Sequence, residues 1–237
     1  MIPVSLTQHS GRSIGDSIYA ALRENIILLQ MRPGESINIK EISEQLGVSR
    51  SPVRDAVMKL AKEGLVDIIP QKGTSVSRID LHRVEEERFM RESMEEKALE
   101  LFGSQKTLLQ MEKLRYILRL QKESLDAQQF ARFLELDDQF HGVFFEGADR
   151  PMCWEIYQSM SGHYRRIRLM TLWDSRIVSN AIDQHWEMLQ LLEERKLDQL
   201  PGLLRNHCRK LDIQELDLFE SYPEYFQKEE LEAYMKK

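Results

Sequence analysis

The chain has little cysteine, which limits how its fold can be held together. Its 237 residues contain only Cys153 and Cys208, and these two do not form a CxxC pair. A framework of disulfides is therefore excluded. We interpret both residues as reduced thiols buried in the core.

Long apolar runs are also missing. No uncharged apolar stretch approaches the roughly 20 residues that a membrane-spanning helix needs. The N-terminal MIPVSLTQHSGRS lacks the apolar run of a signal peptide. We therefore expect a cytoplasmic protein without a membrane partner. The apolar content of 42% is ordinary for a globular protein, and the length allows one large domain or two small ones.

Glycine and proline are scarce and lie mainly in the first third of the chain. They separate short, turn-bounded elements before residue 78 from long helical patterns after about residue 84. Charge divides the chain at the same place, because residues 1–78 carry 10 Lys+Arg and 8 Asp+Glu, while residues 79–237 carry 23 and 31. Although the net charge is −6, we expect any polyanion-binding part in the first third. We predict a domain over 1–78, a linker over 79–84 and a second domain over 85–237.

The first domain is predicted to contain three helices and a hairpin. IGDSIYAALRENIILLQ repeats apolar residues at helical spacing. IKEISEQLG ends at Gly47, and SRSPVRDAVMKLAKEG begins with Ser49 as a candidate cap and ends at Gly64. Two β-prone runs follow, around a turn of Gln71, Lys72 and Gly73. This order of elements predicts a winged helix-turn-helix.

The start of the third helix carries the residues expected to read DNA. Arg50 and Arg54 lie one turn apart, opposite the apolar face. In a helix-turn-helix this helix enters the major groove, where arginine can bond guanine in a bidentate manner. Phosphate and groove contacts are expected from Lys40, Ser49, Ser51 and, at the hairpin tip, Lys72 and Gly73. The alternative is that these residues are ordinary solvated charges on surface helices.

The run INIKEISEQLGVSRSPVRDAVMKLAKEGLVDIIPQKGTSV resembles the DNA-binding domain of GntR-family bacterial transcriptional regulators. The resemblance implies that Arg50 and Arg54 occupy the family's base-reading positions, and that Lys40 stands where many members have arginine. It also implies a homodimer that binds double-stranded operator DNA. The family's hairpin turn often reads His-Gly or Arg-Gly, so the Gln71-Lys72-Gly73 turn departs from the usual pattern.

The second domain is predicted to be an antiparallel bundle of about six helices, so the fold class is mainly α. The first of these helices, VEEERFMRESMEEKALELF, places Phe89, Met94, Ala98 and Leu101 near one face. CWEIYQSMSGHYRRIRLMTL reads as one later helix.

Three helices of this bundle bring polar groups onto apolar faces. Asp137 and His141 are four residues apart, between Phe133 and Phe144. His185 shares a helix face with Ile182, Leu189 and Leu192. His207 shares one with Leu203, Leu204 and Leu211. Each buried polar group needs a partner, and a shared divalent cation would satisfy all four. Separate hydrogen-bonded core histidines are the alternative, and the spacing alone leaves both open.

The C-terminal part is similar to the all-helical FCD-type ligand-binding domain of the FadR-like branch of the GntR family. The resemblance implies a metal site built from an Asp-x-x-x-His and two later histidines, and Asp137, His141, His185 and His207 fill these positions. We expect a divalent ion, zinc first, with nickel and manganese as alternatives. His163 is a second-choice ligand on the face of Ile167.

Open coordination positions on such an ion would suit a small organic acid. We expect Arg91, His163 and Arg166 to contact this effector, with Arg91 placed near the cavity by the resemblance. A solvated helix charge is the alternative for Arg91. The expected function is a transcriptional regulator, a repressor released by a carboxylate effector.

Two other functions fit parts of the pattern. The bundle could be a metal-free dimerisation domain whose histidines are core residues. A metalloenzyme would use the open ion to activate water, but the sequence contains no HExxH pattern, and Glu135 and Glu146 lie off the ligand face. We therefore expect no enzymatic activity.

Overall fold

The computed structural model describes residues 13–173, 175–209 and 218–227, without the side chains of residues 175–180. Within these ranges the chain forms two compact units. One unit contains residues 13–82 together with 219–227, and the other begins at Arg83 and ends at Leu218. The sequence-based division, in contrast, runs the second domain to residue 237.

The first unit is the predicted winged helix-turn-helix. Its elements are the helices α1 (Ile14–Ile27), α2 (Ile39–Leu46) and α3 (Arg50–Lys62), followed by the antiparallel strands β1 (Val66–Ile69) and β2 (Gly73–Val76). The core of this unit lies between the three helices, where Ile18, Leu22 and Ile26 of α1 pack with Val53 and Leu60 of α3. Apolar residues at helical spacing therefore face the core.

Local signals explain most helix ends in this unit. The amide of Asp16 donates to the Ser13 hydroxyl at the start of α1, over 3.1 Å, and Asn38 caps α2 by accepting from Lys40 N. Gly47 ends α2 with a φ of 64°, as its position predicts. Ser49 precedes α3 in an extended conformation, but its side chain makes no capping hydrogen bond.

The wing is the short hairpin of β1 and β2, and a third segment of the chain pairs with β2. Val66 pairs with Val76 and Ile69 with Gly73. Ile37 N donates to Thr74 O over 2.8 Å, on the other side of β2. This extra hydrogen bond anchors the hairpin to the chain that precedes α2.

Residues 219–227 add a further segment to the first unit. A 3₁₀ turn over Pro223–Tyr225 leads to Phe226, which forms a parallel bridge with Ile79. Ile79 N donates to Tyr225 O over 2.8 Å, and Gln227 N donates to Ile79 O over 3.1 Å. Ile79 and Phe226 are both fully buried. The stretch after the wing is therefore held by residues that lie far along the chain.

The described part of the second unit from Arg83 to Arg209 consists of helices joined by short loops. Its elements are α4 (Leu81–Gln105), α5 (Leu108–Asp126), α6 (Phe130–Gly147), α7 (Pro151–Met160), α8 (Gly162–Thr171), α9 (Ser175–Glu193) and α10 (Leu200–Arg209), and α4 begins just before the unit does. Helix α6 is buried on almost every side from Leu136 to Phe145. It is therefore the central helix of the bundle.

Two details of the bundle differ from the sequence predictions. The stretch predicted as one helix between residues 153 and 172 is divided at Ser161 into α7 and α8. Phe89, predicted on the inner face of α4, is 72% exposed, whereas Arg91 and Glu95 are buried. Helix α4 therefore turns a partly charged face inward, which a search for apolar periodicity does not find.

Candidate metal centre and DNA-binding surface

The predicted DNA-reading residues all lie on the surface of the first unit. Helix α3 presents Arg50, Ser51 and Arg54 at its N-terminal end, while Val53, Ala56, Val57 and Leu60 bury its other face. Lys40, Ser49, Lys72 and Gly73 are exposed as well. Lys40 Nζ lies 3.8 Å from Glu44 on the same helix. The surface therefore offers two arginines on an exposed helix start, with lysines on neighbouring elements.

The bundle brings together the four side chains predicted as metal ligands. Asp137 and His141 lie one turn apart on the central helix α6, which places both in the core. His185 comes from α9 and His207 from α10. One ligand atom from each of the four lies within 4.8 Å of the others. Leu211, predicted to share a face with His207, lies outside the described residues.

Each of the three imidazoles has a hydrogen-bond partner on its outer nitrogen. His185 Nδ1 lies 2.9 Å from Gln121 Oε1, and His207 Nδ1 lies 3.0 Å from Gln184 Oε1. His141 Nδ1 contacts Glu95 Oε1. With an oxygen in contact with each Nδ1, the proton of each imidazole is assigned to Nδ1 and the lone pair to Nε2.

The Nε2 atoms point toward the same small volume. His185 Nε2 lies 3.4 Å from His207 Nε2 and 3.3 Å from Asp137 Oδ1. His141 Nε2 has no hydrogen-bond partner and lies 3.7 Å from Asp137 Oδ2. Three imidazole nitrogens and one carboxylate thus converge with no proton between them, which is a donor set that fits a divalent cation.

Burial keeps these histidines neutral. It lowers the pKa of His185 to about 4 and holds the pKa values of His141 and His207 well below their usual range. At neutral pH the imidazoles are therefore in the form that binds metals. Burial alone would raise the pKa of Asp137, but the positive charges around it, that of Arg168 first, together outweigh burial and hold that pKa well below its ordinary value.

Arg168 of α8 fixes the carboxylates of α6. Its guanidinium donates to Asp137 Oδ2 and, over 2.9 Å, to Asp138 Oδ1. Arg165 Nη2 lies 2.6 Å from Asp138 Oδ2. Asp138 is therefore buried in ion pairs beside the cluster, and Asp137 keeps Oδ1 turned toward the imidazoles.

Of the three residues predicted to contact an effector, Arg91 lies beside the ligand set. It pairs with Glu95 one turn away, at 3.0 Å, and its Nη2 lies 3.9 Å from Asp137 Oδ2. Arg91 is 1% exposed, so it is not the solvated helix charge that the sequence left open. Arg166 Nη2 lies 3.1 Å from His163 Nδ1, so these two buried residues bond to each other.

Sequence reasoning missed four residues that surround the cluster, namely Glu95, Gln121, Arg168 and Gln184. A signal was present for one of them, because Arg91 and Glu95 are spaced to pair on a helix in the same way as Asp137 and His141. The other three follow from packing between helices, and no local pattern marks them.

Two known protein families match the chain. The family described as bacterial regulatory proteins, gntR family, matches residues 14–76. The FCD domain matches residues 88–210, more than half of the chain. The chain belongs to the GntR family and carries an FCD domain.

Relatives of this GntR-family regulator cover most of its length. The HTH-type transcriptional repressor RspR of Escherichia coli K12 is 28% identical over 216 residues, which are 91% of this chain and 95% of RspR. The Nta operon transcriptional regulator of Aminobacter aminovorans is 30% identical over 179 residues, 76% of this chain and 83% of that one. The protein is therefore a transcriptional regulator.

Solved structures support the fold of this GntR-family regulator. E. coli McbR/YncC superposes with a TM-score of 0.73 at 17% identity, over 89% of this chain and 99% of that one. A GntR regulator from Rhodococcus sp. RHA1 gives a TM-score of 0.75 at 20% identity, over 87% and 99%. Among the described residues, no helix has the length and apolarity needed to cross a bilayer.

Proposed function

We propose that this regulator is a repressor whose operator binding is controlled by a small carboxylate effector, bound at a divalent metal in the helical bundle. GntR-family regulators bind operator DNA and FCD domains often hold a metal. To these general properties the proposal adds the metal ligands, the chemical class of the effector and the direction of regulation.

The observation that carries the proposal is the contact between His185 and His207. Their Nε2 atoms lie 3.4 Å apart, while both Nδ1 atoms face amide oxygens. Burial lowers the pKa values of both imidazoles, so neither carries a second proton at neutral pH. The lone pairs on their Nε2 atoms therefore face each other in a buried place and repel. A cation bound between Asp137, His141, His185 and His207 removes the repulsion.

The donor set narrows the choice of ion. Three imidazole nitrogens and one carboxylate oxygen suit zinc, and nickel or manganese are alternatives. When bound, the ion supplies a positive centre with open coordination positions. Arg168 keeps Asp137 ionised and holds one of its oxygens, so a single oxygen remains for the ion.

Arg91 supports a carboxylate as the effector. Its Nη2 is buried without a hydrogen-bond partner, and a buried unpaired donor costs about 1–3 kcal/mol. This atom lies 3.9 Å from Asp137 Oδ2, beside the ligand set. An organic acid that contacts the ion could accept this hydrogen bond. We propose His163 and Arg166 as further effector contacts, although they bond to each other here.

On the DNA side, we propose that Arg50 and Arg54 read base edges from α3. Ser49, Ser51 and Lys40 would contact phosphates, and the wing tip with Lys72 and Gly73 would contact the neighbouring backbone or minor groove. Regulators of this family commonly dimerise, and two copies would read two half-sites. We propose a homodimer on this ground.

Metal content tests the proposal. The wild type purified with added zinc should hold one ion per chain by elemental analysis, and His141→Ala and Asp137→Ala should hold none. His163→Gln changes a buried histidine of the same bundle outside the cluster, and should keep the ion. Equal metal in all four proteins would overturn the ligand assignment.

The effector is tested on the metal-loaded protein. We expect a panel of small organic acids to contain one that raises the melting temperature of the wild type and lowers its affinity for operator DNA. Arg91→Ala should lose both responses. A bundle that only dimerises would respond to neither metal nor acid.

A further inference from the structure

The three histidines of the candidate metal centre differ in what holds their outer nitrogens. His185 and His207 use the side-chain amides of Gln121 and Gln184. His141 uses a carboxylate, that of Glu95. The difference matters because an amide can either donate or accept, whereas a carboxylate only accepts.

Glu95 is held in this position from two sides. It has no exposed surface, and its Oε2 accepts the Nε–H of Arg91 over 3.0 Å. Its Oε1 contacts His141 Nδ1. Burial raises the pKa of Glu95, and the charge of Arg91 acts against this. In the ionised form both oxygens accept, so the imidazole proton lies on Nδ1 and the lone pair on Nε2. That Nε2 has no hydrogen-bond partner and faces Asp137.

We propose that Glu95 is a positioning residue for the metal, which fixes the tautomer and orientation of His141 and makes its Nε2 a stronger donor. The proposal rests on the proposed function, since it needs a metal at the four ligands. A carboxylate on the far nitrogen of a ligating histidine pulls the proton toward itself and raises the electron density on the other nitrogen. The amides on the other two histidines lack this charge.

The same residue connects the metal to α4. Glu95 contacts His141, and Arg91, one turn earlier, lies 3.9 Å from Asp137. Both halves of the Asp-x-x-x-His pair on α6 thus face one ion pair on α4. A shift of His141 on metal binding would therefore be transmitted to α4 through Glu95.

Two substitutions of Glu95 separate its charge from its hydrogen bond. Glu95→Gln keeps an oxygen that can accept from His141 but removes the charge, and Glu95→Ala removes both. Glu96→Gln is the matched control, because Glu96 is the next residue on α4 and also forms an ion pair, at 3.0 Å with Arg205 of α10.

The affinity for zinc is measured by competition with a chelator, and the visible spectrum is recorded for each protein loaded with Co²⁺. We expect Glu95→Gln to weaken binding about 10-fold and Glu95→Ala by up to about 100-fold. The Co²⁺ bands should shift in both variants. Glu96→Gln should match the wild type in both measurements.

The outcomes distinguish this inference from the function on which it rests. Unchanged zinc affinity and Co²⁺ bands in both Glu95 variants, with the ion lost from His141→Ala, would overturn the role of Glu95 and leave the metal site standing. A wild type that binds neither ion would overturn both proposals. Weaker binding in Glu95→Ala alone would assign the role to the hydrogen bond rather than to the charge, which still supports positioning.

Melting temperatures of the metal-free proteins complete the test. A residue that only supports the bundle would change this temperature and leave the Co²⁺ spectrum of the folded protein unchanged. That result would also contradict the proposal.

Discussion

His185 Nε2 lies 3.3 Å from Asp137 Oδ1, and both atoms are acceptors. The imidazole proton is on the opposite nitrogen, where Gln121 Oε1 accepts it. Two buried acceptors at this distance destabilise the bundle unless something positive binds between them. The bundle should therefore be more stable with a cation than without one.

Zinc should raise the melting temperature of the wild type, and a chelator should reverse the effect. At a free zinc concentration 100 times the Kd, linkage adds about 2.7 kcal/mol to the free energy of unfolding. His185→Ala should lose this response, because one ligand is gone and the remaining acceptors hold zinc weakly. Differential scanning calorimetry checks this, and an equal zinc shift in wild type and His185→Ala would contradict it.

Arg54→Ala should weaken binding to an operator selected from random DNA. A bidentate contact between arginine and guanine contributes about 1–3 kcal/mol of discrimination, so the affinity for the selected site should fall while that for scrambled DNA changes little. Lys62→Ala, at the other end of α3 and also exposed, serves as the control. Fluorescence anisotropy at fixed salt measures both. Equal losses on selected and scrambled DNA would indicate that Arg54 contacts only phosphate.

Glu87 should make the stability depend on pH. Burial raises the pKa of Glu87 from 4.5 to about 7. Three neighbours oppose this rise: the amide of Tyr164 donates to the carboxylate over 2.8 Å, Arg83 lies 3.6 Å away, and Arg166 adds positive charge. Between these two pKa values the folded state binds more protons than the unfolded state. Stability therefore falls as the pH rises through this window, by up to about 3 kcal/mol.

Glu87→Gln removes the titrating group and keeps an acceptor for Tyr164. The difference in unfolding free energy between this variant and the wild type should grow from pH 4.5 to pH 7 and then stay constant. Glu86→Gln, at the exposed neighbouring position, should follow the wild type. Urea titrations at several pH values give these differences. A difference that does not change with pH would refute the prediction.

Gly147→Ala should destabilise the second unit. A Cβ at this position would lie 2.4 Å from Cδ2 of the fully buried Phe102 and 2.9 Å from Gln110 Nε2, so the packing of α4 against α6 must shift. Overpacking of this kind costs about 1–3 kcal/mol. Gly202→Ala meets no atom within 4 Å and should stabilise α10 by up to about 1 kcal/mol. Thermal unfolding of the two variants compares a crowded glycine with an open one.

Much of the fold could be predicted from the sequence because its signals are local. Gly47 ends α2 in the left-handed conformation, and the apolar spacing of α1 and α3 correctly identifies their inner faces. The break at Ser161 was missed because apolar residues continue at helical spacing on both sides of it, and no proline marks it. Periodicity detects which faces are buried, but not where one helix ends and the next begins.

The proximity of the four candidate ligands could be predicted better than their surroundings. Asp137 and His141 are one turn apart, so their shared face follows from the helix itself, and the two later histidines lie on apolar faces. Glu95 and Arg91 contradict the rule that buried faces are apolar, since they are buried together as an ion pair. Their burial depends on an ion pair inside the core. Apolar periodicity does not detect such a pair, and it wrongly placed the exposed Phe89 on the inner face.

The bridge between Ile79 and Phe226 affects how this protein can be divided or recombined. The DNA-binding unit is formed by two separate stretches of sequence, because residues 219–227 belong to the same unit as residues 13–82. A fragment that ends in the linker would leave the Ile79 N–H and C=O without their partners and its side chain without the cover of Phe226. Chimeras that exchange the helical FCD domain between related regulators should therefore take residues 219–227 from the parent that supplies the DNA-binding domain.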